Sequence, residues 1–206
     1  MPYNRQQTLI YHITDISNLA GIVESGGLMS DAAMVGSGEH QVIGYDHIKR
    51  RRLEQIQVDC VDNRYVGEFV PFYYCPRSPM LFTINKGNTG RPEGCQSEIV
   101  HLVSTVAHGL ALNSDWAFSD GNAGAFHTSF YDDIEELADL DWASIDSAYW
   151  SGKQHQKHSE FLVADFFPWN SVFKIGCYNQ AAVDRVSAVL GGGQFPQVCV
   201  ERRWYY

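Results

Sequence analysis

Apolar residues along this chain fall in short runs separated by glycine, proline and polar clusters. Residues 8–14 are β-branched and apolar and predict a first strand. Asp15 is placed to cap a helix running to about residue 25, with Ile16, Leu19, Ile22 and Val23 on one face and Gly26-Gly27 ending it. His12 and Thr14 are therefore expected at the C-terminal end of a strand, just before a helix N-terminus. Residues 30–47 are rich in Gly, Ser, Asp and His without period and predict a flexible loop. Residues 46–57 predict a poor helix. Ile48, Leu53 and Ile56 form its apolar arc at about 100° per residue, Arg51 lies just outside the edge, and Lys49, Arg50 and Arg52 read as a solvated face.

Pro71, Pro76 and Pro79 argue against a helix or a central strand, so residues 66–80 are expected to form an ordered, aromatic-studded loop. Residues 81–84 and 99–106 read as strands with a turn-rich connection over 87–94. Residues 113–131, carrying Trp116, Phe118, Gly121, Gly124, Phe126, Phe130 and Tyr131, read as a glycine- and aromatic-rich loop. A short acidic helix is expected over 132–140, then irregular chain to Glu160. Residues 161–167 are a short aromatic run closed by Pro168 and predict a buried strand. A further strand within 169–178, a helix capped by Asn179 and ended by Gly191-Gly192-Gly193, and a last strand over 197–204 complete the chain. The pattern predicts a single α+β domain over residues 1–206 with a mostly antiparallel sheet.

Composition narrows the function classes. The 206 residues are 45% hydrophobic and 13% aromatic, which is the profile of a folded globular protein. No run of 18 apolar residues occurs and the N-terminus lacks an apolar signal core, so no membrane partner and a cytoplasmic location are expected. Five scattered cysteines with no C-x-x-C pair read as free thiols. The formal charge of −9 argues against a generic nucleic-acid coat but leaves room for local basic groups at 49–52, 153–158 and 202–203.

P-loop, G-x-G-x-x-G, H-E-x-x-H and G-x-S-x-G motifs are absent, which sets aside the enzyme classes built on them. What stands out is the basic, His-rich stretch 153–159 ending in Glu160 at the mouth of the buried run. Alone, Glu160 reads as a solvated strand-edge residue and His12 as a hydrogen-bonded core histidine. Together with Arg51 and the aromatic loops they suit cleavage of an N-glycosidic bond. That reaction needs a carboxylate bonded to the ribose hydroxyl as positive charge develops, a slot for a flat leaving group, and a cation for phosphate.

Tyr11-His12-Ile13-Thr14, Asn18-Leu19, Gly26-Gly27-Leu28, Pro71-Phe72-Tyr73-Tyr74, Pro76-Arg77-Ser78-Pro79-Met80, Phe126-His127-Thr128 and His158-Ser159-Glu160-Phe161-Leu162 occur in this order. In these motifs, over nearly its whole length, the chain resembles the DarT toxins, NAD-dependent ADP-ribosyltransferases that modify bases in single-stranded DNA. The thymidine-modifying branch fits better than the guanosine-modifying one. The resemblance implies an ADP-ribosyltransferase-like domain with a split β-sheet, NAD as co-substrate and no metal. It implies that His12, Ile13 and Thr14 hold the nicotinamide end of NAD, and that Gly21 and Met29 line the adenosine end. A segment at about 35–53 would cover NAD and deliver Arg51 to the site. A substrate loop at about 119–160 would end in the catalytic Glu160. The resemblance points to Arg51 as a second catalytic residue, the group handling the proton that thymine N3 loses. Guanidinium keeps its proton at ordinary pH, so the alternative role is to contact the NAD phosphates and the base and stabilise the imide anion. DNA contacts are assigned to Tyr73, Arg77, Trp150, Lys153, His155 and His158, and a macrodomain antitoxin resembling DarG is the implied partner. Two alternatives stay open: an NAD glycohydrolase, or transferase onto RNA, protein or guanosine, and a non-catalytic nucleic-acid-binding module.

Overall fold

The structure is a computed structural model that describes residues 5–35, 46–191 and 196–206. Strand β1 (Leu9–Asp15) leads through a 3₁₀ turn into helix α1 (Leu19–Glu24), and Asp15 caps the turn by accepting from the Ser17 amide. Gly26, at φ +79°, ends the helix. Strand β2 (Gly27–Met29) and the single turn α2 (Asp31–Met34) follow, so the expected loop begins with an ordered, Ser30-capped turn. Residues 36–45, part of the segment expected to cover NAD, lie outside the described residues. Helix α3 (Asp46–Glu54) is the poor helix expected there.

A small ribbon of β3 (Gln57–Val58) and β4 (Arg64–Tyr65) comes next. Then follow β5 (Phe69–Tyr73), α4 (Pro79–Asn85), β6 (Ile99–Thr105), α5 (Val106–Leu110), β7 (Trp116–Ser119) and β8 (Phe130–Tyr131). Short helices α6 (Trp142–Ile145) and α7 (Gln154–Lys157) lead to β9 (Glu160–Ala164), β10 (Phe166–Pro168) and β11 (Lys174–Cys177). Helix α8 (Gln180–Val189), capped by Asn179 as expected, and β12 (Gln197–Val200) close the chain.

Among the described residues eight strands form one sheet in the order β12-β11-β6-β1-β5-β9-β7-β8. Every ladder in it is antiparallel except β11–β12, which confirms the α+β, mostly antiparallel expectation. The sheet is split in the middle: β1 and β6 pair over seven positions, but β1 and β5 meet only at Tyr11 and Tyr73.

Pro71 explains that split and corrects the expected loop over 66–80. A proline lacks the N–H that a central strand donates on one side, yet β5 is central. It pairs fully with β9, and opposite Pro71 the ladder to β1 stops. The His12 ring bridges the gap, with Nδ1 2.9 Å from the Pro71 carbonyl oxygen. Residues 81–84 are likewise helix rather than strand. Ser78 accepts from the Leu81 amide and Pro79 occupies the first helical turn, a start signal that outweighs the apolar run. The expected loop over 113–131 contains β7 and β8. The single strand expected over 161–167 breaks at Asp165, φ +61°, into β9 and β10.

Alternation along β9 sends Phe161 and Val163 into one core cluster with Ile10, Phe72, Leu102, Phe118 and Phe167. Leu162 and Ala164 enter a second cluster with Ile56, Val58, Val66 and Phe69. The two-residue period puts Glu160 on that second face. Helix α3 is fixed close to it, since a Cβ on Gly67 would lie 2.6 Å from Leu53 Cδ2.

The strand β2 is similarly tight. A Cβ on Gly27 would sit 2.3 Å from the Phe167 carbonyl oxygen and 2.9 Å from Pro168 Cα, and backbone atoms cannot rotate away. Gly27→Ala is expected to lower stability by about 1–3 kcal/mol in urea titration. An unchanged midpoint would contradict this packing.

Candidate active site

Glu160 opens β9 and is 2% exposed, so it is not the surface residue that its own segment suggests. Three segments hold it. Its Oε1 accepts from the Ala123 amide at 2.9 Å. The carboxylate accepts from Arg52 Nη1 at 3.0 Å (Oε2) and 3.3 Å (Oε1). Its own amide donates to Ser119 Oγ at 3.1 Å, and that hydroxyl donates to the Gly121 carbonyl at 2.8 Å. The carboxylate is thus aimed by its neighbours rather than free to rotate.

Arg52 was expected on a solvated face, and the structure corrects this. Its side chain is 11% exposed, and burial works against its charge. The Glu160 carboxylate outweighs that cost and holds the guanidinium more firmly protonated than usual. Among the described residues its Nη2 is buried with no hydrogen-bond partner. The sequence did carry the signal: Ile48, Arg52 and Ile56 follow one another at four-residue spacing, along one helix face. Lys49 is not simply solvated either, pairing with Asp31 at 3.1 Å, whereas Arg50 meets Glu54 in an exposed pair. Arg51 does not reach the carboxylate. Its Nη1 donates to the Gly124 carbonyl at 3.2 Å, and the guanidinium lies 5.5 Å from the centre of the exposed Phe126 ring.

Across the split, burial lowers the pKa of His12, and the nearby Arg52 charge adds to that against the opposing bond to Pro71. The ring is neutral at pH 7. Because a carbonyl only accepts, Nδ1 carries the proton and Nε2 is left as an acceptor. Tyr73 stands opposite Glu160 in the β5–β9 ladder. Burial, and then the Glu160 charge, push its hydroxyl far above the usual tyrosine range, so it remains a donor.

The remaining expected residues are more scattered. The Ile13 side chain is core, packed with Leu81, Ile84 and Ile99. Thr14 Oγ1 accepts from Asn18 Nδ2 at 3.1 Å. Gly21, on α1, faces open space, where a Cβ would meet nothing within 4 Å. Met29 is half-buried on β2. Arg77 and Trp150 line one cavity. Lys153 is exposed. His155 Nε2 lies 3.3 Å from Asp120, and its ring packs against His127. His158 Nδ1 donates to the Gln154 carbonyl at 2.6 Å, and burial lowers its pKa. The structure therefore gathers Glu160, Arg52, Tyr73 and His12 at the split, with Arg51 bracing the loop beside them.

Known proteins share this fold over almost the full chain. Residues 11–206 match the family described as DarT, ssDNA thymidine ADP-ribosyltransferase. The chain belongs to the DarT family. A Thermus aquaticus DNA ADP-ribosyl transferase is 38% identical over 202 residues, covering 97% of this chain and 89% of that protein. The solved structure of Thermus sp. 2.9 DarT in complex with ADP-ribosylated ssDNA superposes with a TM-score of 0.89 at 35% identity, covering 97% of each chain. The same Thermus DarT, solved in complex with NAD+, matches with a TM-score of 0.83. A Thermosipho africanus DNA ADP-ribosyl transferase–DNA ADP-ribosyl glycohydrolase fusion protein is 27% identical over 161 residues, 75% of this chain and 38% of the fusion. As a DarT the chain is an NAD-dependent DNA ADP-ribosyltransferase with NAD as co-substrate. Among the described residues no helix is long and apolar enough to cross a membrane.

Proposed function

We propose that this DarT transfers ADP-ribose from NAD to N3 of thymine in single-stranded DNA, releasing nicotinamide. The observation that carries the reading is the buried Glu160 carboxylate, fixed by Arg52 and the Ala123 amide at the split between β1 and β5. A fixed, dry carboxylate accepting from a ribose hydroxyl gains strength as the anomeric carbon becomes cationic. It therefore favours the transition state over bound NAD.

The residues at the split suit NAD. His12 Nε2 offers an acceptor to a carboxamide N–H, with the Ile13 backbone and Thr14 alongside. Arg52 Nη2, which has no partner among the described residues, offers a donor, and the space that the described residues leave open at Gly21, with Met29 beyond, gives room for the adenosine end. Arg51, on α3, contacts the NAD phosphates and the base. Thymine N3 gives up its proton to solvent water as it bonds to the anomeric carbon and nicotinamide leaves. Arg51 and Arg52 stabilise the imide anion, and neither guanidinium accepts the proton. The loop over 119–160 presents the base, with Tyr73, Arg77, Trp150, Lys153, His155 and His158 as DNA contacts.

The protein would then act in the cytoplasm as a toxin, restrained by a macrodomain antitoxin resembling DarG. The fused glycohydrolase of the Thermosipho relative supports such a partner. Incubation with labelled NAD and single-stranded oligonucleotides tests the reading. Label is expected on thymine-containing strands and absent from strands without thymine. Free ADP-ribose, or label on guanine, RNA or protein alone, would overturn the acceptor assignment, and no turnover at all would overturn the reaction.

A further inference from the structure

The loop between β7 and β8 holds two side chains of the active site. Its Ala123 amide donates to Glu160 Oε1 at 2.9 Å, and its Gly124 carbonyl accepts from Arg51 at 3.2 Å. The loop is also bonded to itself. The Ser129 amide donates to Asp120 Oδ1 at 3.0 Å, and Thr128 Oγ1 donates to the Asn122 carbonyl at 2.6 Å. His155, on helix α7, reaches both limbs of this loop. Its Nε2 stands 3.3 Å from Asp120 Oδ1, and its ring centre lies 4.8 Å from that of His127. The ring also lies against Gly121, where a Cβ would sit 2.1 Å from His155 Cε1 and 2.3 Å from Nδ1. Nδ1 is buried with no partner among the described residues, so Asp120 is the polar anchor of the ring.

Helix α7 is itself tied down. Lys157 is 3% exposed with its Nζ donating to the Ile145 carbonyl, and His158 Nδ1 donates to the Gln154 carbonyl. Three residues after Lys157 the chain reaches Glu160, so the catalytic carboxylate is held by α7 in two ways. Its backbone continues from the helix and bonds through its amide to Ser119 Oγ at 3.1 Å. Its side chain is held by the loop against which α7 sets His155. Gly121, under the His155 ring, is also the residue whose carbonyl accepts from Ser119 Oγ. One imidazole thus braces the hydroxyl that fixes the Glu160 backbone and the loop that aims its carboxylate.

We infer that His155 is a positioning residue for ADP-ribose transfer: clasped by Asp120 and seated on Gly121, it fixes the loop over 120–129 that aims Glu160 and Arg51. The inference rests on Glu160 being the catalytic carboxylate. It goes beyond a DNA contact, because Asp120 and Gly121 share the role and neither is among the groups assigned to DNA. The clasp needs a donor at Nε2, which the imidazole supplies whether neutral or protonated. Small displacements are costly at such a site, since a misplacement of about 1 Å can slow the reaction by on the order of 10²-fold.

The test measures kcat and the KM values for NAD and a thymine-containing single strand in His155→Ala, His155→Gln, Asp120→Ala and Gly121→Ala, with Glu160→Gln alongside. His155→Ala and Asp120→Ala are each expected to lower kcat by about 10-fold to 100-fold. Their double variant should lose little more than the worse single variant, because both break the same clasp. Gly121→Ala should also lower kcat, since the added methyl displaces the ring while the carbonyl at 121 remains. In Asp120→Ala and Gly121→Ala the KM for DNA should hold. His155→Gln should recover most of the loss, because its amide can still donate to Asp120. Asp120, whose side chain is 33% exposed, gives the comparison with less risk to folding than a core residue. A His155→Ala defect confined to the DNA KM, or wild-type kcat in Asp120→Ala, would overturn the clasp and leave Glu160 untouched. Wild-type transfer by Glu160→Gln would overturn the reading of Glu160 itself, and this inference with it.

Discussion

Glu160→Gln is expected to reduce DNA ADP-ribosylation by on the order of 10³-fold while leaving a folded protein. Glutamine keeps the shape of the side chain and an oxygen that accepts from the Ala123 amide and Arg52, but it removes the negative charge. The charge is what a developing ribosyl cation would feel in a site that is 2% exposed. Glu160→Ala is the harsher variant. It strands the Arg52 guanidinium in a buried position, so its loss of activity would carry a stability cost of about 3–5 kcal/mol that obscures the chemistry. The pair of variants, assayed for transfer and for thermal unfolding together, separates the two effects. Wild-type transfer rates by Glu160→Gln would remove Glu160 from the mechanism.

Much of this was legible in the sequence wherever local chemistry and tertiary packing agree. The Asp15 cap, the Gly26 stop, the Asn179 cap and the fully buried β9 each follow from a few adjacent residues. The central strand β5 was not legible. Pro71 forbids a full ladder, and only the fold could reveal that its missing donor faces a split where the ladder to β1 has already ended. Helix α4 was hidden for a different reason. Its seven residues, Pro-Met-Leu-Phe-Thr-Ile-Asn, are mostly apolar and partly β-branched, and the Ser78-Pro79 start was read as part of a loop. The ordered motifs pointed to Glu160 and His12, and the structure places Glu160 at the start of β9 and His12 on β1. Burial of the carboxylate depended on residues 119–123 folding back over it, 37 or more positions upstream in sequence. No pattern around Glu160 contains that information.

Arg52→Ala is expected to lower stability by about 3–5 kcal/mol and to abolish transfer, because it leaves a carboxylate buried with the Ala123 amide as its remaining donor. Arg51→Ala is expected to differ in kind. Arg51 holds one carbonyl and lies over an exposed ring, so its removal should cost about 1 kcal/mol of stability while transfer is still lost. Urea unfolding and transfer assays on both variants therefore separate a residue that positions the carboxylate from one that acts on the ligands. The decisive comparison is the double-mutant cycle of Arg52→Ala with Glu160→Ala. The double variant should be more stable than the sum of the two single losses predicts, because neither charge is then left unpaired. Strictly additive losses, or native stability in Arg52→Ala, would show that the two side chains do not meet in solution. Arg51→Ala with wild-type transfer would leave Arg52 as the site's essential cation, matching its position against Glu160 rather than the helix-edge position that pointed to Arg51.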